Sequence, residues 1–252
     1  MLVVLPPSET KVSGGVPGTS LDLAELSFPS MTAVRENLIA ELIELSSDVD
    51  RAKRALKLGV KGDGEVARNQ ELRSSPVLPA LERYTGVLYD ALGYPDLPAA
   101  QQAFVNTRVG VFSALWGLVM ATDPIPAYRL SFDSPLASGK PGKHWSAVAD
   151  DLWAEAPGFI LDLRSEGYRS LAPVPEQRGV FLTLVTPGPR GSRKALGHAN
   201  KAVKGELVKQ LAVTGAHLES LDDFVQWGAS EGYDCDAASA KDGRVDLVIS
   251  GR

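Results

Sequence analysis

Residues 1–11 read MLVVLPPSETK. Leu2, Val3, Val4 and Leu5 form an unbroken apolar run that stops at Pro6-Pro7. A run this short, with two β-branched residues, fits a central strand buried on both faces, and two consecutive prolines cannot prolong it. The same stretch has no basic leader region and no small-residue cleavage site, so it does not read as a secretory signal.

Working outward, the segment up to Pro29 is rich in Gly, Ser and Pro and reads as a surface wrap. Beyond Ser30, apolar residues recur at Met31, Val34, Leu38, Leu42 and Leu45, which is helical spacing behind a serine N-cap. A second helix is predicted over residues 48–58, stopped by Gly59, followed by a charged connection over 61–69. Short helical pieces follow at 79–83 and 86–92, with a clearer one at 98–108. Further on come a helix at 145–155, a strand at 159–163, a short helix at 166–171 and a strand at 179–186. Ser220 with Asp223 opens a helix that ends near Trp227, and two strands, around Tyr233 and over 244–249, complete the pattern. This loose alternation defines a mixed α/β fold in one domain, residues 1–252.

Hydrophobic residues make up 44% of the 252 and charged residues 23%, an ordinary globular balance. The longest apolar run, residues 109–121, is too short to span a bilayer. Cys235 stands alone, so no intrachain disulfide forms, which fits a reducing cytoplasm. The cytoplasm is the expected location, with no membrane association. Oligomeric state is not legible.

The charge is unevenly spread. Between Arg190 and Lys209 stand six cations, Arg190, Arg193, Lys194, Lys201, Lys204 and Lys209, against Glu206 alone. The chain as a whole carries −5, so the remainder sums to −10. Clustered cations in an acidic protein suit a polyanion, because they displace counterions condensed on phosphates. On a helix, Lys194, His198 and Lys201 fall within about 60° of one another, with Ala199, Val203 and Leu207 opposite. The Pro187-Gly188-Pro189 turn and Gly191 would then present backbone amides near the helix start. The other reading is a solvated helix face.

Motifs for catalysis are nearly absent. His144, His198 and His217 lack ligand spacing, Gly14-Gly15-Val16-Pro17-Gly18-Thr19 lacks a phosphate-loop lysine, and neither Ser8 nor Ser192 stands in a nucleophile elbow. No catalytic residue, metal or cofactor is assigned. The block around Trp116, Gly117 and Leu118 reads either as packed core or as the hairpin of a helix-hairpin-helix. Ser165-Glu166-Gly167-Tyr168 recurs as Ser230-Glu231-Gly232-Tyr233, each copy expected at a strand edge.

Taken in order, Pro6 to Lys11, Tyr84-Thr85-Gly86, Leu115 to Leu118, Pro126 to Leu130, Leu163 to Tyr168, the basic segment with His198, Asn200, Lys201 and Lys204, and Ser230 to Tyr233 resemble the bacterial peroxide-stress protein YaaA family. The resemblance runs nearly end to end. It implies a cytoplasmic protein of oxidative-stress defence that limits peroxide and iron damage to DNA. It also implies an α/β domain of unusual architecture, with a basic cleft and a helix-hairpin-helix-like element that bind the phosphate backbone of duplex DNA. By position, Trp116, Gly117 and Leu118 would be the hairpin, and Arg190, Arg193, Lys194, His198, Asn200, Lys201 and Lys204 a cleft wall shared with Lys11, Tyr128 and Arg129. Met120-Ala121 depart from the family's Arg-Pro pair, and the overall charge is more acidic. The expectation is a non-enzymatic, sequence-independent DNA binder. The rival is an enzyme using Tyr128, Arg129, Glu166, His198 and Asn200 on a nucleotide-like or phosphorylated small molecule.

Overall fold

In the computed structural model, which describes residues 1–189, 192–197 and 199–249, Leu2–Leu5 is strand β1, buried at all four positions. Three helices follow the N-terminal wrap: α1 (Thr32–Ser46), α2 (Val49–Ala55) and α3 (Asp63–Gln70). Asp48 caps α2, its carboxylate accepting from the Arg51 amide at 3.0 Å. The charged stretch predicted as a connection is largely α3, whose Val66 and Asn69 are buried. A short strand β2 (Leu78–Pro79) leads to α4 (Ala80–Arg83), α5 (Val87–Leu92) and α6 (Ala99–Arg108).

Then come β3 (Val109–Ser113), β4 (Gly117–Met120) and β5 (Pro124–Ile125), the last pairing with β2. The helix expected at 145–155 is two, α7 (Pro141–Ser146) and α8 (Ala149–Glu155). The rest is β6 (Ile160–Asp162), α9 (Glu166–Arg169), β7 (Gly179–Pro187), β8 (Arg193–Ala195), α10 (Asn200–Thr214), α11 (Leu221–Ser230), β9 (Asp234–Lys241) and β10 (Arg244–Val248). As the sequence predicts, the Ser220 hydroxyl caps α11, accepting from the Asp223 amide at 3.1 Å.

The fold is mixed α/β. Its eight-stranded sheet runs β4-β3-β1-β6-β7-β10-β9, with β8 added beside β7. β1 pairs in parallel with β3 on one side and β6 on the other, and β6–β7 and β7–β10 are also parallel. The chain goes from β1 to β3, then crosses back to lay β6 on the opposite flank. Strand order therefore reverses beside β1, the place where open α/β sheets hold ligands beyond the carboxyl ends of their strands.

Trp116, Gly117 and Leu118 are not a helix-hairpin-helix. Ser113↔Gly117 and Phe112↔Leu118 are antiparallel partners, so the segment is a β-hairpin. The apolar, β-branched run pays out into a sheet rather than helices because both faces of β3 are buried. Gly117 adopts φ 61°, and a Cβ there would lie 2.7 Å from the Trp145 ring. The backbone groups a phosphate would need are already engaged. The Trp116 amide donates to Ser113 Oγ at 3.0 Å, while the carbonyls of Trp116 and Leu118 accept from the fully buried Arg35 at 2.9 and 2.8 Å.

Candidate functional site

The loops that leave β1, β3 and β6 all emerge at one edge of the sheet. After β1, Pro6-Pro7 turn the chain and Tyr89 donates to the Pro6 carbonyl at 2.7 Å. Ser8 then ties this loop to the start of α5, accepting from the Thr85 amide at 3.1 Å, and Lys11 forms a backbone bridge with Tyr84. The partly buried Lys11 side chain lies against the ring of Tyr128, 4.1 Å from its centre, and 5.4 Å from that of Tyr84. Its Nζ donates to the Ser8 carbonyl at 2.9 Å. No carboxylate forms an ion pair with it among the described residues.

Burial first, and then the neighbouring Arg129 guanidinium, pull the Lys11 ammonium down to about 7; Arg68 adds to this, while Glu65 and Glu9 oppose it. The hydroxyls of Tyr84 and Tyr128 meet at 2.8 Å, and burial pushes both phenols up. Arg129 is fixed by its backbone: the Asn69 side chain accepts from its amide at 2.8 Å and donates to its carbonyl at 2.9 Å. Arg129 Nη2 donates to Glu9 at 3.1 Å, yet its buried Nε has no hydrogen-bond partner among the described residues. Glu9 is 74% exposed, so this pair is open to exchange. Tyr168, packed on Phe132, completes the rim, its phenol raised to about 12 chiefly by burial.

Below the β6 end lies a buried support. Arg164 grips both oxygens of Asp162 at 2.8 and 2.7 Å and donates to the Tyr168 and Ala172 carbonyls. Its guanidinium also sits over Phe112 and Trp153. Lys204 reaches the same loop from α10, donating to the Arg164 carbonyl at 3.1 Å.

The structure thus divides the basic segment. Arg190 and His198 lie outside the described residues. The helix does not begin at Lys194: Arg193–Ala195 is β8, hydrogen-bonded to the end of β7, and α10 starts only at Asn200. Arg193 is neutralised by Asp236 and Asp246, the latter at 2.8 Å. Lys204 is 5% exposed and belongs to the interior, not to an outward face. Gly205, next to it, lets α10 approach α5 so closely that a Cβ would stand 2.1 Å from the Leu88 carbonyl. The Gly188 amide does not face outward for an anion either, since it donates to the Ser192 carbonyl at 2.7 Å. Lys194 and Lys201 remain exposed, with no ion pair among the described residues, and Asn200 opens α10.

Of the residues picked from sequence, the structure therefore brings Lys11, Tyr128 and Arg129 together and moves Trp116, Gly117, Leu118 and Lys204 into the core. Glu166 is clamped by Arg244, which contacts both its oxygens. The two Ser-Glu-Gly-Tyr copies are not equivalent, since one opens α9 and the other follows α11 into β9. Asn69, Ser113 and Arg68 were missed: the first and last lie in the stretch read as a charged connection, which is α3, and Ser113 in the apolar block around Trp116. Among the described residues no group of three or more His, Cys, Asp or Glu is placed to hold a metal ion, and no helix is long and apolar enough to cross a membrane.

Fold and cluster together define a mixed α/β protein whose cationic and tyrosine side chains converge beyond the carboxyl ends of its parallel strands. The sequence profile of the peroxide stress protein YaaA family matches residues 1–239, and the chain belongs to that family. It is 41% identical to a UPF0246 protein of Streptomyces coelicolor, over 99% of this chain and 98% of that protein. It is 39% identical to a UPF0246 protein of Corynebacterium glutamicum, over 92% and 93%. An uncharacterized protein of Campylobacter jejuni is 28% identical over 60% of each chain.

Proposed function

We propose that the protein serves peroxide-stress defence in the cytoplasm by binding the phosphate backbone of duplex DNA without reading bases, and so limits oxidative damage to DNA. The family supports the stress role. The observation that carries the binding is Arg129. Its side chain is only 15% exposed, and among the described residues its Nε is unpartnered and its one ion pair is with the highly exposed Glu9. A phosphate can replace that carboxylate and take the spare donor as well. Lys11 and Arg68 add positive charge beside it. Lys201 extends the footprint, because it stands one turn before Lys204, whose Nζ donates to Arg164 in the loop that leads into α9 and Tyr168. Lys194 supplies a further exposed cation.

The test is fluorescence anisotropy with a labelled duplex over a salt series. Binding that weakens with salt, and that Arg129→Ala impairs on every duplex sequence alike, supports this reading; a flat salt response refutes it. A second reading, an enzyme or receptor for a phosphorylated small molecule, is favoured by the enclosure of Lys11 between two tyrosines. Thermal shifts with nucleotides and sugar phosphates separate the two, since a small ligand that binds the folded state raises its melting temperature.

A further inference from the structure

We infer that the amine of Lys11 captures carbonyl compounds, forming an imine with an aldehyde that carries a neighbouring phosphate; the ring-opened deoxyribose of an abasic site in duplex DNA is the occupant that fits. The choice of occupant rests on the DNA reading above, while the chemistry at Lys11 does not.

Four observations meet at this amine. Its hydrogen bond is to a backbone carbonyl, Ser8 at 2.9 Å, with the Glu9 carbonyl farther off at 3.4 Å. A neutral amine keeps such a bond through one N–H and still presents its lone pair. The rings of Tyr84 and Tyr128 flank it and shed water. Arg129, with its unpartnered Nε, stands beside it as a phosphate anchor. Finally, the charged groups around it are balanced against protonation: Arg129 and Arg68 disfavour the ammonium, Glu9 and Glu65 favour it, and the two phenols stay neutral. At pH 7 the neutral fraction of such a lysine exceeds that of an ordinary one by about a thousandfold.

In the reaction the nitrogen lone pair attacks the carbonyl carbon, a C–N bond forms and the C=O π pair moves to oxygen. A proton passes from nitrogen to that oxygen, water leaves, and a C=N bond remains. Aldehyde and amine give imine and water, with no oxidant or reductant. Lys204 is the internal contrast. Burial lowers it to about 8, but the residue is only 5% exposed, whereas Lys11 is partly exposed.

The experiment incubates the whole protein with a duplex containing one abasic site, or with glyceraldehyde 3-phosphate, in the presence of cyanoborohydride. Peptide mapping then locates the reduced adduct. The expected result is an adduct on Lys11 at neutral pH, lost in Lys11→Arg, which keeps a cation but cannot form an imine, and retained in Lys61→Arg, a change at an exposed lysine away from the site. Because mapping is done on the unmodified sequence, the result stands even if Lys11→Arg folds poorly. Adducts spread over exposed lysines without preference for Lys11 overturn the inference. Intact duplex that binds while neither aldehyde marks Lys11 overturns it and leaves the DNA reading standing. Labelling by the sugar phosphate alone keeps the imine chemistry and removes duplex DNA as its source.

Discussion

Lys204 Nζ donates to the backbone carbonyl of Arg164 at 3.1 Å, a bond between a buried ammonium and the loop that follows β6. Burial lowers this lysine to about 8 and Lys11 to about 7, from 10.5 in an unstructured chain. Above those values the folded protein releases protons that the unfolded chain still holds, so stability rises with pH. Cys235 acts in the opposite sense. Burial raises it to about 12 from 9.0, so above pH 9 the unfolded chain loses that proton first. Urea midpoints are therefore expected to increase from pH 7 to pH 9 and then flatten. Lys204→Met should reduce the increase.

The Asp162–Arg164 pair is fully buried on both sides. Truncating the acid strands a guanidinium that also spans two backbone carbonyls and two aromatic rings. Asp162→Ala is expected to cost about 3–5 kcal/mol in chemical denaturation. A loss below about 1 kcal/mol would mean that water reaches Arg164.

Salt dependence discriminates among the cations Arg193, Lys194 and Lys201. Lys194→Ala and Lys201→Ala should each lower the slope of log affinity against log salt by about 1 if each lysine meets one phosphate. Arg193→Ala should leave the slope nearly unchanged, because Asp236 and Asp246 already hold that guanidinium. Its effect belongs to the stability of the β8–β9–β10 edge, read by thermal unfolding.

Tyr84 and Tyr128 share a buried hydroxyl–hydroxyl bond of 2.8 Å. Either single change to Phe removes this bond and leaves the partner's hydroxyl with Ser113 alone, and is expected to destabilise by about 1 kcal/mol. The double change should cost less than the two singles together. Equilibrium unfolding of all four proteins closes the cycle.

The parts of this molecule that sequence exposes are those decided locally. Leu2–Leu5 is apolar on both faces, so burial between two strands follows directly. The spacing from Met31 to Leu45 likewise yields α1, and Ser220 with Asp223 yields the start of α11. Where pairing partners are distant, local pattern misleads. Arg193–Ala195 has no apolar alternation, and only the free edge at the end of β7 makes it a strand. Lys204 occupies a polar position by composition, but a carbonyl contributed by the loop after β6 lets it sink inward. The same holds for the site. Lys11, Tyr128 and Arg129 were visible as motif members, whereas Asn69, which holds Arg129 from both sides, has no sequence mark of its role.

The place of β1 in the sheet also governs how the chain is made. Leu2–Leu5 is made well before its neighbours, which begin at Val109 and Ile160. At roughly 5–20 residues per second, the second neighbour emerges on the order of ten seconds or more after the first strand. Until then an apolar segment keeps one hydrogen-bonding edge without its native partner. Enclosure of β1 on both sides therefore waits on long-range pairing, and a nascent-chain chaperone has a defined segment to shield.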